Sequence, residues 1–473
     1  MATIQNIVDA VTSGSSTATE QVENAIQRAE DKEDFNAILN LTKERARQRA
    51  SEIDEKIKNG ETAGRLVGVP FIAKDNFLTF GSPTTAASKI LENFEAPLQA
   101  TAIEKLEREG AICIGKANLD AFAHGGSTEN SAYDVTKNAI DQTRVAGGSS
   151  GGSAVAVALD IAPFALGTDT GGSIRQPASF NGVVGVKPTY GTVSRFGVVA
   201  MASSTDVIGP ITKNVADAEL VLDVLAGKDP YDATTLPAFF KPQNEEPKPL
   251  KIGIITNMLD EGTYSGVSSV VRKYGDALKA KGHEVAEFDL GSDSRISDSL
   301  AMYYIIVPAE ISSNLARYDG IRYGVRADAK DLSELYGRSR DQGFELENKR
   351  RILIGSYVLS SGYYDAYYNQ AAKARTLLIQ EFNELFEKYD VLLSPVSPTP
   401  AFKIGENTDD PLKMYKADVM TVPASLAGIP AISVPAGQSD DELPVPIGVQ
   451  LIGQRKTDAQ LLALAKSMEA INE

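Results

Sequence analysis

Lys74, Ser149 and Ser173 are the residues of this chain whose types and settings suit amide-bond chemistry without histidine. Lys74 lies in the segment Gly68 to Asn76 (GVPFIAKDN), Ser149 in Gly147 to Ser153 (GGSSGGS) and Ser173 in Asp169 to Pro177 (DTGGSIRQP). A serine hydroxyl is a weak nucleophile until a base takes its proton. A lysine serves as that base only when burial or neighbouring dipoles bring its pKa toward neutrality. Lys74 follows the apolar run Val67 to Ala73 and reads as the end of a buried strand, where a lysine does not sit without partners. Each of these apolar runs leads into a small-residue turn and then a helix, leaving backbone N–H groups free to face a developing oxyanion. Ser173 is expected to begin such a helix, with the N–H groups of Thr170, Gly171 and Gly172 as the oxyanion hole. Glycine brackets both serines because backbone packed closely around a carbonyl leaves little room for Cβ atoms.

Other readings of these segments are weaker. Gly147 to Ser153 resembles a flexible linker in composition, but the apolar run Ala154 to Leu159 follows at once and marks a buried element. A phosphate loop requires a Lys-Ser or Lys-Thr pair after its last glycine, and neither glycine-rich segment has one. The chain has two histidines and one cysteine, with no His-Glu-x-x-His or Cys/His cluster, so no metal site is expected. His283 falls in a polar turn, whereas His124 lies in Ala123 to Asn130 (AHGGSTEN) beside further glycines. It stands either in the wall of a pocket or as the base of a Ser-His arrangement.

These three segments closely resemble the signature of the amidase signature family, and the resemblance runs over nearly the whole chain. It implies that Ser173 is acylated, that Ser149, on a cis peptide bond, relays protons, and that Lys74 is the ultimate base. It also implies a single large α/β/α domain around a mixed, mostly parallel sheet. The family commonly carries methionine where this chain has His124. Within the family, four C-terminal segments resemble the glutaminase subunits of tRNA-dependent amidotransferases: Arg317 to Gly324, Lys349 to Ile352, Ser360 to Tyr368 and Asp410 to Asp418. That likeness implies glutamine hydrolysis and assigns Arg351 to the substrate carboxylate and Asp418 to its ammonium, with Gly125, Gly126 and Ser127 also in the pocket. A guanidinium fork suits a carboxylate, although a lone Arg or Asp is ordinarily a solvated surface charge. The likeness further implies two partners, a tRNA-binding B subunit and a small clamping C subunit. No cofactor is expected in this chain, while ATP and Mg2+ are expected to act through the partner. A stand-alone amidase acting on another amide, and a non-catalytic scaffold of the tRNA complex, are the rival readings.

The elements that must position these residues read as α/β throughout. The 473 residues, 42% hydrophobic, are enough to bury a large core. Residues 1–64 read as a helical layer, 65–228 as the core carrying the chemistry, 229–249 as a surface connection and 250–473 as the part that completes the sheet and pocket. Helices are expected over Val270 to Lys281 and Ala374 to Lys388. Strands are expected at Ala111 to Ile114, Lys251 to Ile255, Val391 to Leu393, Ala431 to Val434 and Ile447 to Ile452. The tyrosines of Tyr363 to Tyr368 are expected mostly to pack on a helix face. A net charge of −16 argues against this chain gripping nucleic acid alone, so any tRNA is held mainly by a partner. The lone Cys113 in an apolar run reads as a small buried hydrophobe in a reducing compartment. The N-terminus lacks the pattern of a secretory signal, and no apolar run approaches the roughly 20 residues of a membrane helix, so a cytoplasmic protein is expected.

Overall fold

The apolar runs of the sequence become strands β1 (Ile38–Leu41), β2 (Pro70–Lys74), β3 (Ile112–Ala117), β4 (Phe164–Asp169), β5 (Val184–Lys187), β6 (Val207–Thr212), β7 (Lys251–Ile255), β8 (Glu284–Phe288), β9 (Val391–Pro395), β10 (Ala431–Gln438) and β11 (Pro446–Gly453). The structure, a computed structural model, describes residues 2–469 apart from 63, 244–246, 261 and 323. Tyr323, residues 244–246 of the 229–249 connection and residues 470–473 of the C-terminal part thus lie outside the described residues. The strands form one sheet in the order β1-β3-β2-β4-β6-β5-β10-β11-β9-β7-β8. Strands β2 to β6 are buried along their whole length, which is why they read as unbroken apolar runs rather than alternating ones. Edge strand β8 is half-exposed and carries Glu284 and Glu287, charges that discourage pairing with another chain.

The sheet is mixed, as expected, but it is not mostly parallel. Only its two flanks are parallel, β3-β2-β4 at one end and β9-β7-β8 at the other. The run β4-β6-β5-β10-β11-β9 between them is antiparallel at every step, as is β1 on β3. Alternation of helices and strands suggested parallel crossovers. However, β6 inserts between β4 and β5, and β10 returns to β11 through a short turn closed by Ser439 N–H on Val445 O at 2.8 Å.

Helices flank the sheet. Those at Thr101–Arg108, Val215–Leu225 and Asp458–Glu469 pack on one another, while Gly151–Ala158 and Arg175–Asn181 form a second group against β4, β5 and β10. The N-terminal layer holds helices Ile4–Ser13, Ala18–Asp31 and Lys43–Lys58, the second opened by a capping box between Thr17 and Glu20. It is not wholly helical, because Ile38–Leu41 pairs with β3 and satisfies an edge that would otherwise be bare. Residues 229–235 also depart from a surface connection. Asp229 and Asp232 are buried, accepting from Ser194 Oγ at 2.5 Å and Arg195 N–H at 2.9 Å respectively.

The expected helices start five or six residues earlier and end one or two sooner than read, over Ser265–Ala280, with Gly282 at φ +92° beyond it, and Tyr368–Phe386. The tyrosine cluster is not helix packing. Tyr363, Tyr364 and Tyr367 sit in turns before the second of these helices and are exposed, with the Tyr357 and Tyr363 rings 4.3 Å apart at the surface. Among the described residues no helix is long and apolar enough to cross a membrane.

A second apolar core forms where helices Ser299–Asn314, Leu346–Val358 and Tyr368–Phe386 meet. Its tightest point is Gly355, where a Cβ atom would stand 1.8 Å from Pro308 O. Arg351 lies one turn before Gly355, and Tyr304 one turn before Pro308, so this crossing sets how those two side chains approach. Gly355→Ala is expected to force the helices apart at a cost of about 1–3 kcal/mol. The readout is a lower urea midpoint at unchanged slope. An unchanged midpoint would show that the crossing is not the constraint the packing indicates.

Candidate active site

Lys74 ends β2 with its side chain fully buried. Its Nζ lies 2.8 Å from Ser149 Oγ, 2.9 Å from Ser150 Oγ and 2.9 Å from Thr168 Oγ1. Ser150 Oγ donates to Thr168 O at 3.2 Å and so accepts from Lys74, while Thr168 Oγ1 accepts from Lys74 and from Asn76 Nδ2. A neutral amine has two N–H groups and one lone pair. With both N–H groups engaged in this way, the lone pair faces the Ser149 hydroxyl. Burial pushes the Lys74 pKa down to about 7, against the opposing pull of Asp120, Asp169 and Asp206.

Ser149 follows a cis peptide bond from Gly148, as the family resemblance implies. A Cβ on Gly148 would stand 2.1 Å from Asp120 Oδ2, so only glycine fits there. Gly148 N–H donates to Gln176 Oε1 at 2.8 Å, and Gln176 Nε2 donates to Gly126 O at 2.7 Å. One glutamine thereby fixes the serine loop against the Gly125-Gly126-Ser127 segment. Asp120 accepts from Thr128 N–H at 2.9 Å and Asn130 N–H at 3.1 Å. Burial, resisted by those two N–H groups, pushes its carboxyl up to about 6.

Ser173 does not begin a helix, since the helix starts at Arg175 and Ser173 stands in the turn before it. What shapes that turn is the capture of its outward-facing groups. Gly171 O accepts from Thr421 Oγ1 at 2.6 Å, Ser173 O from Ser150 N–H at 3.1 Å, and Asp169 Oδ2 from Ile174 N–H at 3.2 Å. Thr170 Oγ1 donates to Asp206 Oδ1 at 2.7 Å. Among the described residues, the N–H groups of Gly171, Gly172 and Ser173 donate to nothing in the protein. Of the N–H groups expected to serve as an oxyanion hole, those of Gly171 and Gly172 are therefore free, in a turn rather than at a helix end, and that of Ser173 is free beside them. Gly172 adopts φ +148°, with Thr421 Oγ1 only 2.2 Å from where its Cβ would stand. The Ser173 hydroxyl has no partner among the described residues and, at 8% exposure, is the most open of the three.

Beside this chemistry lies a cavity of about 180 Å3, lined among others by His124, Gly125, Gly126, Ser127, Arg351 and Tyr415. Arg351 is 3% exposed and so is no surface charge. Its Nε donates to Glu347 Oε1 at 2.8 Å, which also accepts from Tyr415 OH at 2.9 Å. The guanidinium lies over the stacked Tyr304 and Tyr415 rings, 5.4 and 5.6 Å from their centroids. Among the described residues its two Nη groups have no hydrogen-bond acceptor, so the fork is free for a carboxylate. Asp418 is half-buried, with Oδ1 3.5 Å from the Cβ position of Gly126 and Oδ2 3.4 Å from Tyr304 OH. Burial, against the attraction of Arg351, pushes its carboxyl up to about 7.

His124 is buried, with Nδ1 2.7 Å from Asn348 Nδ2, and makes no hydrogen bond to a serine among the described residues. Burial and then the charge of Arg351 hold its pKa well below the usual value. The pocket-wall alternative is the one its position fits. Ser150, Thr168, Gln176, Asp120, Glu347 and Tyr304 escaped the sequence reading. The first two adjoin flagged residues and Glu347 precedes Arg351 by one helical turn, whereas nothing local marks Tyr304.

The amidase family profile matches residues 20–462. The chain is 51% identical over 444 residues to the A subunit of glutamyl-tRNA(Gln) amidotransferase from Thermoanaerobacter pseudethanolicus, covering 93% of this chain and 90% of that protein. It is 50% identical over 478 residues to the protein so named from Nostoc punctiforme, covering 99% and 97%. The crystal structure of the A subunit of glutamyl-tRNA(Gln) amidotransferase from Thermotoga maritima superimposes with a TM-score of 0.78 at 40% identity, covering 96% of this chain and 91% of that one.

Below its pKa Lys74 is an ammonium without a lone pair, so hydrolysis that begins with proton transfer from Ser149 is expected to rise with pH through about 7. Measured as kcat/KM on a simple amide, this acid limb should be present in the wild-type protein, and Lys74→Met should lose about a thousandfold or more. An active Lys74→Met variant with the same profile would remove Lys74 from the chemistry.

Proposed function

The chain belongs to the amidase family, and we propose that it is the glutamine-hydrolysing subunit of a tRNA-dependent amidotransferase that converts Glu-tRNA(Gln) to Gln-tRNA(Gln). The observation that carries this reading is the pair of opposite charges beside the candidate nucleophile, a free guanidinium fork on Arg351 and a carboxyl on Asp418, which matches the zwitterionic head of a free amino acid. The names of the relatives, A subunits of a glutamyl-tRNA(Gln) amidotransferase, support the amidation of Glu-tRNA(Gln) and a multi-subunit assembly.

In this mechanism neutral Lys74 takes the Ser149 proton as Ser149 takes that of Ser173, and Ser173 Oγ attacks the side-chain carboxamide carbon of glutamine. The oxyanion is held by the N–H groups of the 170–173 turn, each good donor contributing about 3 kcal/mol to the transition state. Collapse breaks the C–N bond, and the proton held by Lys74 returns through Ser149 to the departing nitrogen, releasing ammonia and leaving a glutamyl ester on Ser173. Water, deprotonated by the same relay, then attacks the ester carbon, and glutamate leaves as Ser173 recovers its proton. Arg351 and Asp418 fix the head of the substrate so that its amide meets the nucleophile. The ammonia serves a partner, the B subunit, which holds the tRNA and activates it with ATP and Mg2+, while a small C subunit clamps the two. The charge of −16 agrees with leaving the tRNA to the partner. Cytoplasm is the compartment in which this reaction belongs.

In the assembled complex, Ser173→Ala is expected to abolish glutamine hydrolysis while ammonia-fed amidation of Glu-tRNA(Gln) continues. Full glutamine turnover by that variant would sink the assignment of the nucleophile. Arg351→Ala and Asp418→Ala each leave a substrate charge unpaired in a partly desolvated pocket and should cost about 2–4 kcal/mol in kcat/KM for glutamine, with far less loss on a simple amide. Equal losses on both would favour a stand-alone amidase in which these residues support the fold. Because Asp418 must be ionised to hold an ammonium and its pKa is about 7, the acid limb should also be steeper for glutamine than for the simple amide.

A further inference from the structure

Three contacts decide which nitrogen of His124 carries its proton. Glu345 N–H donates to Asn348 Oδ1 at 3.2 Å, which fixes the orientation of the Asn348 amide. Asn348 Nδ2 then donates one hydrogen to Ala121 O at 2.8 Å, and its other hydrogen points to His124 Nδ1 at 2.7 Å. His124 Nδ1 is therefore an acceptor, and in the neutral ring the proton sits on Nε2. That Nε2–H is buried and has no partner among the described residues. Buried donors in folded proteins are almost always satisfied, so an orphan beside a cavity marks the place of a ligand acceptor.

His124 lines the same cavity as Arg351. Asn348, which holds the ring, precedes Arg351 by three residues on helix Leu346–Val358, so the two side chains share a helix face. A carboxylate has about four lone-pair directions, and a guanidinium fork takes two of them. We propose that His124 is a substrate-binding residue, donating its Nε2–H to the carboxylate of glutamine beside Arg351. This rests on the glutamine reading above and adds a neutral donor to the charged pair. The ring is held against protonation by burial and by the adjacent guanidinium, so it binds as the neutral imidazole across the working pH range.

The test compares glutamine with 4-aminobutanamide, which keeps the ammonium and the carboxamide but lacks the carboxylate, using the assembled enzyme. His124→Phe removes the donor at similar volume and should raise KM for glutamine about tenfold with kcat little changed, while 4-aminobutanamide loses far less. His124→Gln, whose amide nitrogen reaches the position of Nε2, should recover most of the loss. The ring 15N spectrum of the wild-type protein, simplified by there being only two histidines, should show the Nε2-protonated tautomer for His124. An Nδ1-protonated ring, or equal losses of both substrates in His124→Phe, overturns the proposal whether or not the variants fold well. A wild-type enzyme that fails to prefer glutamine over 4-aminobutanamide overturns the glutamine reading and this one together. A wild type that prefers glutamine, with a His124→Phe variant whose preference is undiminished, overturns this one alone.

Discussion

The ion pair between Asp169 and Arg175 is the contact on which the rest of the site depends. Both side chains are fully buried, and Asp169 receives Arg175 Nε and Nη2 at 3.0 Å each. The remaining guanidinium hydrogens reach Thr421 O at 2.9 Å, Gln450 Oε1 at 3.0 Å and Ser425 Oγ at 2.9 Å. Arginine is used here as a rigid multiple donor, and a lysine has no planar fork with which to replace it. Burial would raise the Asp169 carboxyl, but Arg175 outweighs it and holds the pKa below the usual carboxylate range. Removing one partner of such a pair costs about 3–5 kcal/mol, because the other is left charged and unmatched. What that energy secures is the joint between the 170–173 turn and the C-terminal half, without which neither half forms a site.

Buried lysines separate by what touches them. Lys116 has Asp75 at 2.8 Å and sits within reach of Thr84 Oγ1 and Phe77 O, an arrangement that serves the packing of β2 against β3. Lys74, adjacent in sequence to that same aspartate, touches only hydroxyls and one carbonyl among the described residues. Three aspartates act on it from a distance, none in contact. The absence of a touching carboxylate lets desolvation dominate, and a group that is ordinarily a permanent cation becomes one that titrates near neutrality.

Local pattern was enough to read the strand ending in Lys74, the two serine loops and most C-terminal strands, because unbroken apolar runs and glycine-rich turns are local signals. The mixed sheet was legible too, but its strand directions were not, since nothing in β5 or β6 states that one inserts beside the other. The helix expected at Ser173 failed for a related reason. Thr421, far away in sequence, holds the turn open from outside the segment, while Asp169 at the segment's start takes the Ile174 N–H. Likewise Tyr363, Tyr364 and Tyr367 were read as helix packing, yet they precede their helix and lie exposed, with the Tyr363 and Tyr367 rings against each other. In the pocket, Arg351 and Asp418 were found by resemblance. Tyr304, lying over one and donating to the other, carried no mark, because its role exists only after two helices cross at Gly355.

The glycines at 148 and 172 have a genetic side. Every amino acid that can replace a glycine carries a β-carbon, and at these two positions the β-carbon would overlap Asp120 and Thr421 respectively. No small step in codon space leads away from them, so drift there is blocked in all directions at once. The helix carrying Arg351 is different, since outward positions such as Leu346 and Leu353 face open space. The turns at the reacting centre thus stay as they are or are lost, while the outward face of the neighbouring helix is open to gradual revision.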